Sequence, residues 1–296
     1  MSNRQIKKLL IANRGEIAVR IVRACAEMGI RSVAIYTEPD RYGLFVKRAD
    51  ESYSLGDDPL AGYLNPARIV NLAVETGCDA LHPGYGFLSE NPELARLCEE
   101  KNIAYVGPSS EVIHRMGDKT EARTAMTQAG VPVTPGSDGN LANIEEALCQ
   151  AERVGYPVMI KATSGGGGRG IRRCDDAEDL KSQYPRVISE ATKAFGSAEV
   201  FLEKCIINPK HIEVQVLGDW RSIDEHMYER DCSIQRRNQK LIEIAPSPQI
   251  SEEQRSYLGE MAVAAARYVG YESAGTVEFL LSGEDIYFME MNTRIQ

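Results

Sequence analysis

Apolar positions change their period along this chain. Near the N-terminus the run Leu9-Leu10-Ile11-Ala12 is followed by Asn13-Arg14-Gly15, then by Ile17, Ile21, Val22, Cys25 and Met28 at helical spacing. That order predicts strand, loop and helix over residues 6–30, with a second strand from Ser32 to Tyr36 after Gly29. A helix from Pro66 to Thr76, a strand from Ala80 to His82, a helix from Pro92 to Lys101 and a strand from Ala104 to Val106 continue the alternation. Strands alternating with helices at this spacing imply a parallel sheet with helices on its faces, so residues 1–115 read as a Rossmann-like α/β domain.

The remainder has a different character. After a helix from Asp118 to Ala129, the Pro and Gly residues of Val131 to Gly139 interrupt both helix and ladder. Residues 144–154 are again helical, Pro157 to Ala162 is a strand, Ser164 to Gly170 is a glycine loop, and Ile171 to Cys174 resumes a strand. From Val200 onward strands dominate: Val200 to Glu203, His211 to Leu217, Met227 to Asp231, Val277 to Leu281 and Ile286 to Met291, with a helix from Glu252 to Val269. Residues 116–296 therefore read as an α+β part.

Composition narrows the function. The 296 residues carry 34 Lys+Arg against 43 Asp+Glu, a net charge of −9, which argues against a nucleic-acid partner. With 43% hydrophobic and 26% charged residues the chain has the composition of a soluble globular protein. Its apolar runs fall far short of the roughly 18 residues of a membrane span, and the N-terminus has no secretory signal. Seven scattered cysteines without a CxxC pair read as reduced thiols, and the expected compartment is the cytoplasm.

Three segments carry candidate chemistry. In Lys161 to Gly170, Gly165, Gly167 and Gly170 formally satisfy GxGxxG, but the following Ile171-Arg172-Arg173-Cys174 is extended, whereas a dinucleotide fingerprint opens a helix. A glycine hairpin whose backbone N–H groups approach phosphate, with Lys161 on the strand leading into it, is the reading favoured over a plain surface hairpin. Near the C-terminus, a three-residue loop over Gly283 to Asp285 would pair Ser282 with Ile286 and set Glu278 opposite Glu290, with Asn292 on the same face. Like charges so placed call for a counter-ion such as Mg²⁺, although a polar face of an edge hairpin fits the same pattern. Arg230, Arg236, Arg237 and Lys240 form the third segment, either an anion site or a solvated basic loop. Single residues are ambiguous: His211 suits a strand histidine or a ligand, His82 a turn, Asp118 a helix N-cap, and Lys119 the surface.

Taken in order, Ile11 to Ala18, His82 to Asn91, Met116-Gly117-Asp118-Lys119, Gly165 to Gly170, Glu229 to Gln235 and Glu290 to Gln296 resemble the biotin carboxylase component of biotin-dependent carboxylases, an ATP-grasp enzyme. The resemblance spans residue 6 to the end, and within that family is greatest to the carboxylase subunit of two-subunit pyruvate carboxylases and next to that of acetyl-CoA carboxylase. It implies an ATP-grasp domain over residues 116–296 with a glycine-rich lid subdomain at 132–203. The implied reaction phosphorylates bicarbonate with ATP to carboxyphosphate and passes the carboxyl group to biotin on a carrier protein. Lys119 and Lys161 would contact phosphates, the lid with Gly167 and Gly168 would close over them, and Glu203, Lys204, Cys205 and Ile206 would hold adenine. His211, Gln235 and Asn238 would also contact the nucleotide; Glu278, Glu290 and Asn292 would bind Mg²⁺ or Mn²⁺. Lys240, Arg294 and Gln296 would hold bicarbonate and carboxyphosphate. The implied partners are a biotin carboxyl carrier protein or domain and a carboxyltransferase subunit, with a homodimer as the full-length form.

The chain departs from the family pattern at three places. Asn238 stands where many members have histidine, Asp219 to His226 lacks the usual glycine turn, and the sequence stops at Gln296 before a Val-Glu-His segment containing the family's proposed base. The expectation is a fragment that keeps the ATP and metal site without carboxylating biotin alone. The rival readings are a nicotinamide oxidoreductase, another ATP-grasp ligase and a non-catalytic nucleotide-binding module.

Overall fold

A computed structural model describes residues 5–137, 139–163, 170–219, 225–237 and 239–296. The N-terminal part runs β1 (Lys8–Ile11), α1 (Gly15–Glu27), β2 (Arg31–Tyr36), α2 (Leu44–Arg48), β3 (Glu51–Ser54), α3 (Pro66–Glu75), β4 (Ala80–His82), α4 (Pro92–Glu100) and β5 (Ala104–Tyr105). Its strands form one parallel sheet in the order β3-β2-β1-β4-β5. The unbroken apolar run in β1 follows from burial on both faces: Leu9 and Ile11 pack with Ile17, Ile21 and Cys25 of α1, while Leu10 packs with Leu81 and Leu94 on the other side. Strand order reverses beside β1, where open α/β sheets form a crevice. There the Asn13 amide donates to the carbonyls of Pro83 at 2.7 Å and Tyr85 at 2.8 Å, tying together the loops after β1 and β4.

Two helices follow, α5 (Ser110–Gly117) and α6 (Lys119–Gln128), and the Asp118 side chain caps α6 by accepting from the backbone of Thr120 and Glu121. Next come α7 (Ile144–Val154), β6 (Val158–Ala162), β7 (Ile171–Cys174), α8 (Ala177–Phe195) and β8 (Val200–Lys204), whose strands make an antiparallel sheet β7-β6-β8. The chain then builds β9 (Lys210–Gly218), β10 (His226–Arg236), β11 (Gln239–Ile244), α9 (Glu252–Val269), β12 (Ser273–Ser282) and β13 (Asp285–Asn292), with an antiparallel sheet β11-β10-β9-β12-β13. A Ser251/Gln254 capping box starts α9, Gly270 ends it at φ +66°, and Leu258, Ala262, Ala265 and Ala266 bury against Ile212, Val214, Val277 and Phe279 of the sheet.

The Pro/Gly stretch after α6 is a strap between the two antiparallel sheets. Val133 bridges to Phe288 of β13 and Gly136 to Glu203 of β8. A Cβ on Gly136 would lie 2.3 Å from the Leu202 carbonyl oxygen, so no side chain fits where the strap meets β8.

The β12–β13 hairpin corrects one expectation. Its turn has two residues, Gly283 at φ +64° and Glu284, and Ser282 pairs with Asp285 instead of Ile286. A continuous ladder from that turn would set Glu278 opposite Met289. An irregularity between the pairs Phe279/Phe288 and Glu278/Glu290 inserts the extra residue and restores the expected opposition of the two glutamates. Strands β3 and β11 and helices α2, α5 and α8 were not anticipated. All seven cysteines are free, and among the described residues no helix is long and apolar enough to cross a membrane.

Candidate functional site

Alternation along β9 and β12 sends Ile212, Val214, Val216, Val277 and Phe279 to the core beneath α9 and the intervening residues to the opposite face. On that opposite face the register aligns Arg230, Glu213, Glu278 and Glu290 in one row across β10, β9, β12 and β13. Gln215, Thr276 and Asn292 form the next row, and His211 faces Leu280 on the other side. Three glutamates side by side repel one another unless cations intervene.

The cations come from β11 and β10, and β9 adds a hydrogen-bond donor. Lys240 Nζ donates to Glu213 Oε2 at 2.6 Å and to Glu278 Oε1 at 2.7 Å, while Arg230 Nε pairs with Glu213 Oε1. The Gln235 amide donates to His211 Nδ1 at 2.8 Å, which leaves His211 Nε2–H to donate to Glu278 Oε2 at 2.5 Å. Asn292 Nδ2 donates to Glu278 Oε1 at 2.6 Å. Burial by itself would raise the Glu278 carboxyl, but His211 and Lys240 hold it down at about 2. Burial would likewise lower the Lys240 amine, and Glu278 and Glu213 instead raise it. Glu290 differs: burial and the Glu278 charge raise it, and among the described residues no hydrogen bond reaches its carboxylate. An under-neutralised, half-buried carboxylate opposite a buried one, beside the amide of Asn292, fits a hard divalent cation that prefers oxygen donors.

The facing wall is the three-stranded sheet. Met159 and Lys161 lie on one face of β6, opposite Glu203 and Phe201 of β8. Lys161 Nζ pairs with Glu203 Oε2, and Arg123 Nη1 donates to Glu203 Oε1 at 2.8 Å. Lys119, expected as a possible surface residue, turns inward from the start of α6; burial lowers its amine, partly offset by Glu290. Lys204 Nζ is tied to the carbonyls of Gly155 and Tyr156 at 2.8 and 2.9 Å, leaving the chain from Glu203 to Ile206 to border the cleft.

Between these walls lies a cleft of about 760 Å³. Lys119, Lys161, Glu203, Lys204, Cys205, Ile206, His211, Gln235, Lys240, Glu278, Glu290, Asn292, Arg294 and Gln296 all line it. Gly167, Gly168 and Asn238, together with residues 220–224 of the segment that lacks the usual glycine turn, lie outside the described residues. At one end Arg294 Nη2 donates to Asn292 Oδ1 at 3.0 Å and Nη1 to Gln296 Oε1 at 3.1 Å, while Nε lies 3.5 Å from Glu90 Oε2 of the N-terminal part. Met159, Ile171, Leu280 and Met289 add apolar surface that sequence reading did not assign. Glu213 and Arg123 were also missed, although the alternation His211, Glu213, Gln215 against Ile212, Val214, Val216 marks Glu213 for the cleft face. The basic segment divides: Lys240 and Arg230 hold the glutamate row, while Arg236 and Arg237 are exposed. His82 shapes a turn, its Nδ1 accepting from the Gly84 amide at 3.0 Å.

A parallel α/β sheet joined to two antiparallel sheets that enclose a lysine- and glutamate-lined cleft defines a protein of the ATP-grasp class. The family profile described as "Biotin carboxylase, N-terminal domain" matches residues 5–113, and "Carbamoyl-phosphate synthase L chain, ATP binding domain" matches residues 118–296. The chain belongs to the biotin carboxylase family. It is 57% identical over 291 residues to the 2-oxoglutarate carboxylase small subunit of Hydrogenobacter thermophilus, covering 98% of this chain and 62% of that protein. It is 54% identical over 296 residues to Biotin carboxylase 1 of Bacillus subtilis, covering 98% of this chain and 65% of that one. This chain thus spans less than two thirds of the length of either relative. Among solved structures, the biotin carboxylase domain dimer of the H. thermophilus enzyme, in complex with MgADP, ADP and bicarbonate, matches at TM-score 0.94 and 56% identity over 99% of this chain and 65% of that one. A nucleotide complex of the Campylobacter jejuni biotin carboxylase matches at TM-score 0.95 and 49% identity over 99% and 66%.

Proposed function

We propose that this chain provides the nucleotide, metal and bicarbonate sites of an ATP-dependent biotin carboxylase. The observation that carries the reading is the convergence on one cleft of Lys119 and Lys161, the Glu278/Glu290/Asn292 group, and Arg294 with Gln296. Lys119 and Lys161 would meet phosphate oxygens, and the backbone from Glu203 to Ile206 the base. Glu278, Glu290 and Asn292 would hold Mg²⁺ or Mn²⁺, whose chemistry is to neutralise charge on the phosphate oxygens. Arg294 presents a planar guanidinium already oriented by Asn292 and Gln296, suited to the planar bicarbonate, and Lys240, which bridges Glu213 and Glu278, would add a second positive charge. The γ-phosphoryl group of ATP would pass to bicarbonate, and the carboxyl group then to biotin carried on a partner protein. A carboxyltransferase would complete the assembly, and residues 116–296 would form the ATP-grasp domain.

A dinucleotide reading of the glycine run has no support, because β7 returns antiparallel to β6 where such a motif requires a helix. The test is ATP hydrolysis by the full-length protein with biotin present. Phosphate release that depends on bicarbonate, with labelled carboxyl recovered on biotin, is expected; hydrolysis indifferent to bicarbonate but stimulated by another acid would overturn the proposal.

A further inference from the structure

We infer that Arg123, a residue outside the ligand cleft, supplies the charge that offsets Glu203 and so frees Lys161 to bind a nucleotide's phosphates. The inference rests on the nucleotide reading above and assigns that site a positioning residue.

Glu203 stands between two cations. One carboxylate oxygen pairs with Lys161 Nζ, and the other accepts from Arg123 Nη1 at 2.8 Å. All three side chains are largely shielded, at 20% exposure for Lys161, 16% for Arg123 and 11% for Glu203. Lys161 and Glu203 line the cleft, whereas Arg123 lines a separate cavity of about 650 Å³ with Thr120, Thr124 and Phe201. Alone, Lys161 and Glu203 make a neutral pair. An incoming phosphate would have to compete with a buried carboxylate for the charge of Lys161 and would feel that carboxylate's repulsion, with Lys119 the other cation beside it. Arg123 adds one positive charge to this group, and Glu203 is held by a partner that never deprotonates. Lys161 can then turn its charge toward phosphate without leaving a bare carboxylate behind.

The effect of Arg123 is specific to phosphate. Titrating the full chain with adenosine, ADP and ATP in the presence of Mg²⁺ reads it directly. Arg123→Ala is expected to weaken ADP and ATP by roughly ten-fold and adenosine by less than about two-fold. Arg123→Lys should recover most of the loss, and the double variant Arg123→Ala/Glu203→Gln should bind ADP more tightly than Arg123→Ala because Lys161 no longer faces a carboxylate. If Arg123→Ala melts below the titration temperature, Arg123→Gln, which keeps the size without the charge, gives the same reading. Equal losses for adenosine and ADP, unchanged ADP affinity, or a double variant no better than the single one would each overturn the inference while leaving the nucleotide site intact. Absence of ADP binding by the unmodified chain would overturn the nucleotide reading and the inference with it.

Discussion

Glu278 and Glu290 stand opposite one another on β12 and β13, and among the described residues only Glu278 is hydrogen-bonded to its partners. The two members of the pair should therefore respond with opposite signs. Glu278→Gln strands Lys240 and His211 and should destabilise the metal-free protein by about 2–3 kcal/mol. Glu290→Gln removes a repulsion and should stabilise it by up to about 1 kcal/mol. Urea denaturation in EDTA compares them, and two losses of equal size would contradict the asymmetry.

Lys240 bridges two glutamates that are almost fully buried. Lys240→Met should cost about 3 kcal/mol, since it leaves two carboxylates with fewer partners than their burial requires. Adding Glu213→Gln to that variant should recover part of the loss, because these residues are in contact and their effects are coupled. Strict additivity in a double-mutant cycle would show that the network carries no shared energy.

Burial lowers His82 from 6.5 to about 4, and its Nδ1 must stay unprotonated to accept from Gly84. A histidine with a folded pKa below its unfolded one contributes stability above pH 6.5 that is lost as pH falls toward 4. The loss from this group is at most about 3 kcal/mol. His82→Asn keeps an acceptor and should flatten that part of the stability profile, as measured by denaturant midpoints between neutral and mildly acid pH.

Gly136 sits where the strap crosses β8 with no room for a side chain. Gly136→Ala must displace backbone, and a loss of about 2 kcal/mol or more is expected. Because the strap links both walls of the cleft, nucleotide affinity should fall with it. A neutral substitution in both thermal melting and ADP titration would show that the strap yields freely.

The elements legible in the sequence are those with an unambiguous period or stop signal. β1 and α1 were marked by a continuous apolar run and then a helical stripe, and α9 by its caps. β11 was invisible because five of its six residues are exposed, leaving no alternation to read. β3, with the sequence ESYS, is a polar edge strand, and α8 hides Pro185 in its interior. The glutamate pair was found through a loop of the wrong length, and the extra residue in β13 made the register come out the same. The contacts of Arg123 with Glu203 and of Glu90 with Arg294 join residues 80 and 204 positions apart, respectively, and depend on how the sheets meet. No local pattern records that meeting.

Nucleotide binding through a divalent ion and two lysines is the property proposed for the cleft. Calorimetric titration of the chain with ADP, with and without Mg²⁺, tests it most directly. Mg²⁺-enhanced binding that weakens at least about ten-fold in Lys161→Ala and in Glu290→Gln is expected. Absence of binding, or binding unchanged by Mg²⁺ and by both substitutions, would contradict it.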